Sequence, residues 1–460
     1  MKADLSRSAS QFRRAAGGEV HSPIGHTGFR PRPTTIALAV CALLGGGQAW
    51  AACTAAPSAA TVVGGVLAPA SGDTVNCTGL TEVAIVNVAA TGTTVDVAAG
   101  GNVRSATRQA PAVALGAGAT ITNAGGAFAD RPGDGTLVAN GGTITIYGAG
   151  NTITNAGTIE ARDGPAIQGL INTAPATGTV LNNSGVIRNT NDTATNSSAA
   201  VTLGDNARVT NSGGTIEMRG GGGREALLVG AGSQIENQAL GVIRATETRT
   251  FFTNSNFITR GATGIQMGAN STLVNAGRIE TSAALTGLGE AVYLVGTGSA
   301  VTNSGTIDAT AAQYAIRAVA DLDATGSVTI TNSGTLLGGS GGAILIDQGN
   351  GALVTLDTGS QITGSVTVRD RERVAKSDAE LGNDQRVIDF CRQNPTNLIC
   401  YKTESLLPAQ ATLRLQGTGT ENDRLSGFNL IEKPDAGLWV LSTPCRRARR
   451  TTCPATSAAR

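Results

Sequence analysis

The side chains of this sequence that could do chemistry are carboxylates with few helpers. The only two histidines, His21 and His26, lie within the first fifty residues, in a stretch that reads as a removable targeting segment. A mature chain without histidine has no Ser-His-Asp triad, no Cys-His dyad and no histidine zinc site. What remains is Glu160, Glu217, Glu280 and Asp308, which recur at equivalent places in a repeated motif. Glycoside hydrolysis needs two carboxyl groups about 5–10 Å apart, so these four define the one enzymatic reading, a β-helical polysaccharide lyase or glycosidase. Sugar subsites also want aromatic platforms, and aromatics are only 3% of the residues. The reading preferred here places the four acids at solvent-facing strand positions. No catalytic residue, cofactor or metal site is assigned.

The elements that must carry these acids follow from the repeat. From residue 119 the chain reads ATITNAGG, NTITNAGTIEA, TVLNNSGVIRN, RVTNSGGTIEM, QIENQALGVIRA, TLVNAGRIET, AVTNSGTIDA and VTITNSGTLLG. The asparagine beside the glycine anchors each copy: Asn123, Asn155, Asn183, Asn211, Asn237, Asn275, Asn303 and Asn332. The period is about thirty residues, and a second apolar strand recurs between anchors (AVALG, AVTLG, ALLVG, GIQMG, AVYLVG, AILI). Each unit therefore holds at least two short strands divided by Asn, Gly and Ser turns. A strand of three to five residues cannot bury its inward side chains alone. Stacked on its neighbours at ~4.8 Å it can, and the narrow core between parallel sheets favours small and β-branched residues.

The composition agrees. Glycine is 63 of 460 residues, about twice the usual ~7%, and charged residues are 15% against ~25%. Asparagine at an equivalent turn in every coil can stack into a ladder of side-chain amides, and the following glycine tolerates the bend. The fold expected for residues 52–370 is all-β, a right-handed single-stranded parallel β-helix of about ten coils, a rod of roughly 50 Å. Long intervals mark coils that grow loops. The 38-residue step from Asn237 to Asn275 contains RTFFTNSNFITRG, whose Phe251, Phe252 and Phe257 form an exposed contact patch or fold back over the coil. The PGDG of residues 132–135 lacks the nonapeptide repeat of a calcium solenoid.

The N-terminus reads as an export signal. A basic leader precedes the apolar run TTIALAVCALLGGG, and Ala49, Trp50 and Ala51 complete an A-x-A cleavage pattern, so residues 1–51 are expected to be removed. Export makes disulfides possible, and the cysteines left after the signal fall into near pairs: Cys53 with Cys77, Cys391 with Cys400, and Cys445 with Cys453. The formal charge of +1 conceals a body that is acidic, −8 over residues 52–444. Phosphate binding needs clustered cations, so this acidic body argues against nucleic acid as a partner. Residues 371–405 are charged and helix-compatible, with Val374, Leu381, Val387, Ile388 and Phe390 as expected buried positions and Cys391 and Cys400 pinning a turn.

Residues 406–442 hold the most specific motif. It reads LRLQGTGTENDRLSGFNLIEKPDAGLWVLS from Leu413 to Ser442, with Gly417, Gly419, Gly427, Phe428, Gly437 and Trp439 in it, and Lys433 one place later than the pattern expects. Together with the signal and the TNSGTI-type repeats, it resembles the passenger of a bacterial type V autotransporter, pertactin-like or haemagglutinin-like. The resemblance implies that this segment is an autochaperone-like end of the β-helix. It further implies an adhesin or host-interaction protein at the cell surface or outer membrane, or secreted, with loops that meet ligands on host or neighbouring cells. The family's outer-membrane barrel does not follow. Residues 443–460 are instead an arginine-rich, unpatterned tail, read either as a basic segment for acidic lipids or DNA or, preferably, as out-of-frame translation. Without a separately encoded translocator such a chain would stop in the periplasm.

Overall fold

The computed structural model describes residues 53–442 except 106–109, 130–141, 163, 170–174, 192–197, 222–223, 250–260, 284–286, 320–326, 348–350, 394–399 and 407–409. The signal, the arginine-rich tail with Cys445 and Cys453, and Phe251, Phe252 and Phe257 therefore lie outside the described residues. All described residues belong to one compact unit, 47–460.

That unit is a parallel β-helix. Its strands assemble into three long sheets of 14, 11 and 15 strands, here sheets I, II and III, and the chain visits them in that order before rising to the next coil. Eleven coils are complete in all three sheets, one more than the repeat count suggested. Each coil has three strands, where the repeat implied at least two. The repeated motif TITNAGTIEA is two strands, Thr152–Asn155 on sheet I and Thr158–Ala161 on sheet II, divided at Ala156 and Gly157. The corner is so short that the sequence conceals it inside one motif.

Alternation explains the strands. In Thr152–Asn155, Ile153 and Asn155 point inward while Thr152 and Thr154 face out. Register is conserved from coil to coil, so Ile121 stacks on Ile153, Leu181 on Val209 and Ile235 on Leu273. Sheet II stacks Ile159 on Ile187 in the same way, and sheet III stacks Ile265 on Val292. These aliphatics are fully buried. Each gains about 1.5–3 kcal/mol from burial, and a one-residue slip would turn a whole column outward, which fixes the register.

Both ends are closed differently. At the N-terminal end, Cys53–Ala56 pairs antiparallel with Thr74–Cys77, covering the edge of sheet I, and Cys53 and Cys77 are both register partners and disulfide-bonded. Asp73 pins the approach to this cap. Its carboxylate accepts hydrogen bonds from the Ser58 hydroxyl, from Ser58 N (3.1 Å) and from Ala70 N (2.7 Å).

The expected helical excursion at 371–405 is corrected in kind. The strand Val366–Ala375 runs on from sheet III past residue 370 and pairs antiparallel with Tyr401–Leu406, so the excursion has a β-hairpin stem. Among the described residues a helix, Gln385–Gln393, follows within it. Of the expected buried positions Ile388 is buried, Leu381 and Val387 are half-buried, and Phe390 is exposed. The side chain of Val374 lies outside the description. A nine-residue helix beside a hairpin has little to bury against, so one side chain docks and the apolar face beyond it meets water. Cys391 and Cys400 are bonded as expected.

Candidate functional site

The four acids singled out in the sequence do share one face. Glu160, Glu217, Glu280 and Asp308 occupy the same outward register of sheet II, but that column also contains Arg188 and Arg244. The order Glu160, Arg188, Glu217, Arg244, Glu280, Asp308 alternates charge until its last step. Arg188 Nη2 lies 2.9 Å from Glu160, and Arg244 reaches Glu217 at 3.1 Å and Glu280 at 3.2 Å. Glu280 and Asp308 are the one like-charged neighbouring pair, and Arg278 bridges them, at 3.1 Å from Asp308. Every carboxylate thus meets a guanidinium. A glycosidase pair needs two carboxyl groups free to face one substrate, whereas here each acid is engaged by a guanidinium. The arginines were legible in VIRN, VIRA and GRIE, but only stacking shows that they interleave the acids.

The asparagine anchors form the expected ladder. Asn123 Nδ2 donates to Asn155 Oδ1 at 2.8 Å, and the same bond repeats through Asn183, Asn211, Asn237, Asn275, Asn303 and Asn332 at 2.7–2.9 Å. Asn332 closes the run on Ser360 Oγ at 2.7 Å, a terminator that lies outside the repeated motif. The other end is open: Val97 stands above Asn123, and the buried Asn123 Oδ1 has no partner among the described residues. The ladder holds the corner between sheets I and II. Connections there are two to four residues long in every complete coil, whereas those between sheets II and III run from two to fourteen.

The C-terminal motif assembles into the end of the solenoid. Thr412–Leu415 and Leu430–Glu432 extend sheet I, and Leu425–Ser426 adds to sheet III. Gly419–Glu421 pairs with Trp439–Leu441 in a separate ribbon that sets Gly419 opposite Trp439. The indole covers the glycine: a Cβ on Gly419 would lie 2.5 Å from Trp439 Cη2. Trp439 Nε1 donates to Gln416 O at 3.0 Å. Gly417 and Gly427 adopt positive φ, 69° and 89°, and added side chains would collide with Thr358 and with the Val368 backbone. Gly437 sits against the Gly417 carbonyl, and Phe428 is buried. Asp435, which sequence reasoning passed over, ties the motif together by accepting from Gly417 N (2.6 Å), Gly437 N (3.0 Å) and Lys433. Glu421 is buried there; desolvation pushes its carboxyl above the ordinary range, although Asp423 N donates to it at 2.8 Å.

A further cluster stands on the outer face of sheet III. Two of the four tyrosines, Tyr293 and Tyr314, flank Arg317, whose guanidinium carbon lies 5.7 and 6.0 Å from the ring centroids. Arg317 Nη1 donates to Glu290 at 2.8 Å, and on the next strands Asp347 pairs with Arg369. Burial alone would lower the affinity of Arg317 for its proton. The hydrogen bond and charge of Glu290, aided by Tyr293 and Asp347, more than offset it, and the net shift is upward. The signal available in the sequence was the recurrence of Tyr in AVYLVG and QYAIRA, one repeat apart in a chain otherwise poor in aromatics.

Comparison with protein-family models, with curated proteins and with solved structures finds no match for this chain.

Proposed function

We propose that this chain is an exported interaction protein, an autotransporter-type passenger that acts as an adhesin through segments carried on a β-helical scaffold. One observation carries the reading. Strand register on sheet I is constant along the parallel coils, and on sheet II it shifts only at Gly220–Gly221 and Glu280–Ser282, while the connections between sheets II and III change length from coil to coil. A scaffold that fixes one corner with a polar ladder and leaves another free to vary suits the display of binding segments. The column of acids neutralised by arginines supports binding over polysaccharide hydrolysis. The glycine and tryptophan contacts at the C-terminal end support the reading of residues 406–442 as an autochaperone-like cap.

The test uses the full chain in its bacterial producer. Fractionation should place it in the cell envelope or medium with a new N-terminus at Ala52, and the purified chain should bind host or neighbouring cells saturably. Cytoplasmic retention with an intact leader would sink the export reading. Turnover of pectin or another polysaccharide, abolished by Glu280→Gln, would replace the adhesin by the enzyme.

A further inference from the structure

We propose that the outer face of sheet III around Tyr293, Tyr314 and Arg317 is a binding site for a neutral oligosaccharide. The inference deepens the reading as an interaction protein and rests on it. Glu290 and Tyr314 share one register position on successive strands, and Tyr293 and Arg317 share the other, so the four side chains form a two-by-two patch. Both rings and the guanidinium are half-buried, fixed by their neighbours yet open to solvent. Tyr314 owes its position to Gly341, where any Cβ would collide with the tyrosine ring.

The chemistry of the patch selects its ligand. Glu290 and Asp347 balance Arg317 and Arg369, so neither an anionic nor a cationic ligand would gain from net charge. The cation excess that holds phosphates is absent. What the patch offers instead is a half-buried guanidinium, neutralised from beneath by Glu290, between two aromatic rings. Arg317 is held in place by its bond to Glu290 and by the two flanking rings. Sugar rings present the complementary surface, since hydroxyls both donate and accept while the C–H face of the ring lies on an aromatic plane. The aliphatic core of sheet III does not require the tyrosines, whose rings pack instead on Arg317 and, for Tyr314, beside Gly341. Gln266, one strand before Tyr293 in the same register, adds one polar side chain to the patch along the stacking direction.

The experiment titrates the full chain with cellohexaose, maltohexaose and mannohexaose, with hexagalacturonate as the anionic counterpart, reading tyrosine fluorescence and saturation-transfer NMR. At least one neutral hexasaccharide should bind at millimolar concentration. Tyr293→Ala and Tyr314→Ala should each weaken it about tenfold, equivalent to ~1.4 kcal/mol. Tyr314→Phe keeps the ring and should retain most of the affinity, which separates lost stacking from misfolding. Binding of hexagalacturonate alone, no binding of any neutral probe, or affinity unchanged in the alanine variants would overturn the site. Saturable cell binding by a chain that binds none of these sugars would overturn this proposal and leave the interaction-protein reading standing, whereas loss of both would remove both.

Discussion

Replacing Asn211 by alanine tests whether the amide ladder acts as a connected chain or as eight separate corners. Asn211 accepts from Asn183 at 2.8 Å and donates to Asn237 at 2.9 Å, so the substitution removes two buried ladder bonds at about 1 kcal/mol each, together with a longer bond to Val242 O at 3.3 Å. It also strands Asn237 Oδ1, and an unsatisfied buried acceptor costs about 1–3 kcal/mol, part of which the lost bond already counts. Asn183 Nδ2 is less affected, because Gly185 O still accepts from it at 3.2 Å. The sum is a destabilisation of about 3 kcal/mol. Asn123→Ala is the control from the open end. It removes one ladder bond and strands Asn155 Oδ1, yet it also eliminates an acceptor that is already buried and unpaired. Its cost should be smaller by about 1–2 kcal/mol. Urea denaturation followed by far-ultraviolet circular dichroism measures both variants. Because coils contact only their neighbours, the Asn211 lesion should also split unfolding into two phases while the Asn123 lesion does not. Equal losses from the two substitutions, or a loss below about 0.5 kcal/mol at Asn211, would refute the connected-ladder argument.

Three further outcomes follow from the two ends of the solenoid. The hydrogen bond from the Ser58 hydroxyl, with Ala70 N and Ser58 N, holds the Asp73 carboxyl below its ordinary 3.8, so its stabilisation is present above that value and is lost as pH falls through the depressed one. Amide exchange of residues 53–77 should accelerate over that acid range, and Asp73→Asn should remove the dependence. Glu421 has the opposite sign: desolvation raises its carboxyl, so the C-terminal cap gains stability as pH falls from neutral through the raised value, and Glu421→Gln should stabilise at pH 7 and flatten the profile. Melting followed by Trp439 fluorescence reads this directly. Gly419→Ala should expel the indole from the glycine it covers, exposing Trp439 to quenching by acrylamide and costing the cap about 1–3 kcal/mol through overpacking.

Sequence alone determined the solenoid. Its period, its asparagine anchors and its small, β-branched residues admit one economical arrangement, because a short alternating strand can bury its inward side chains only against copies of itself. The same logic made the disulfide pairs 53–77 and 391–400 legible, since each closes a short loop. The third strand of each coil was hidden because a two-residue corner leaves no break in the pattern, and the hairpin stem beyond residue 370 was hidden because a charged, exposed strand reads like a charged helix. Only the tertiary structure decided the surface. Residues about thirty positions apart become neighbours through stacking, so whether Glu160, Glu217 and Glu280 meet one another or meet Arg188, Arg244 and Arg278 depends on register, which the linear sequence does not display. The same stacking turns two distant tyrosines and an arginine into one patch, and ends the ladder on Ser360 rather than on another asparagine.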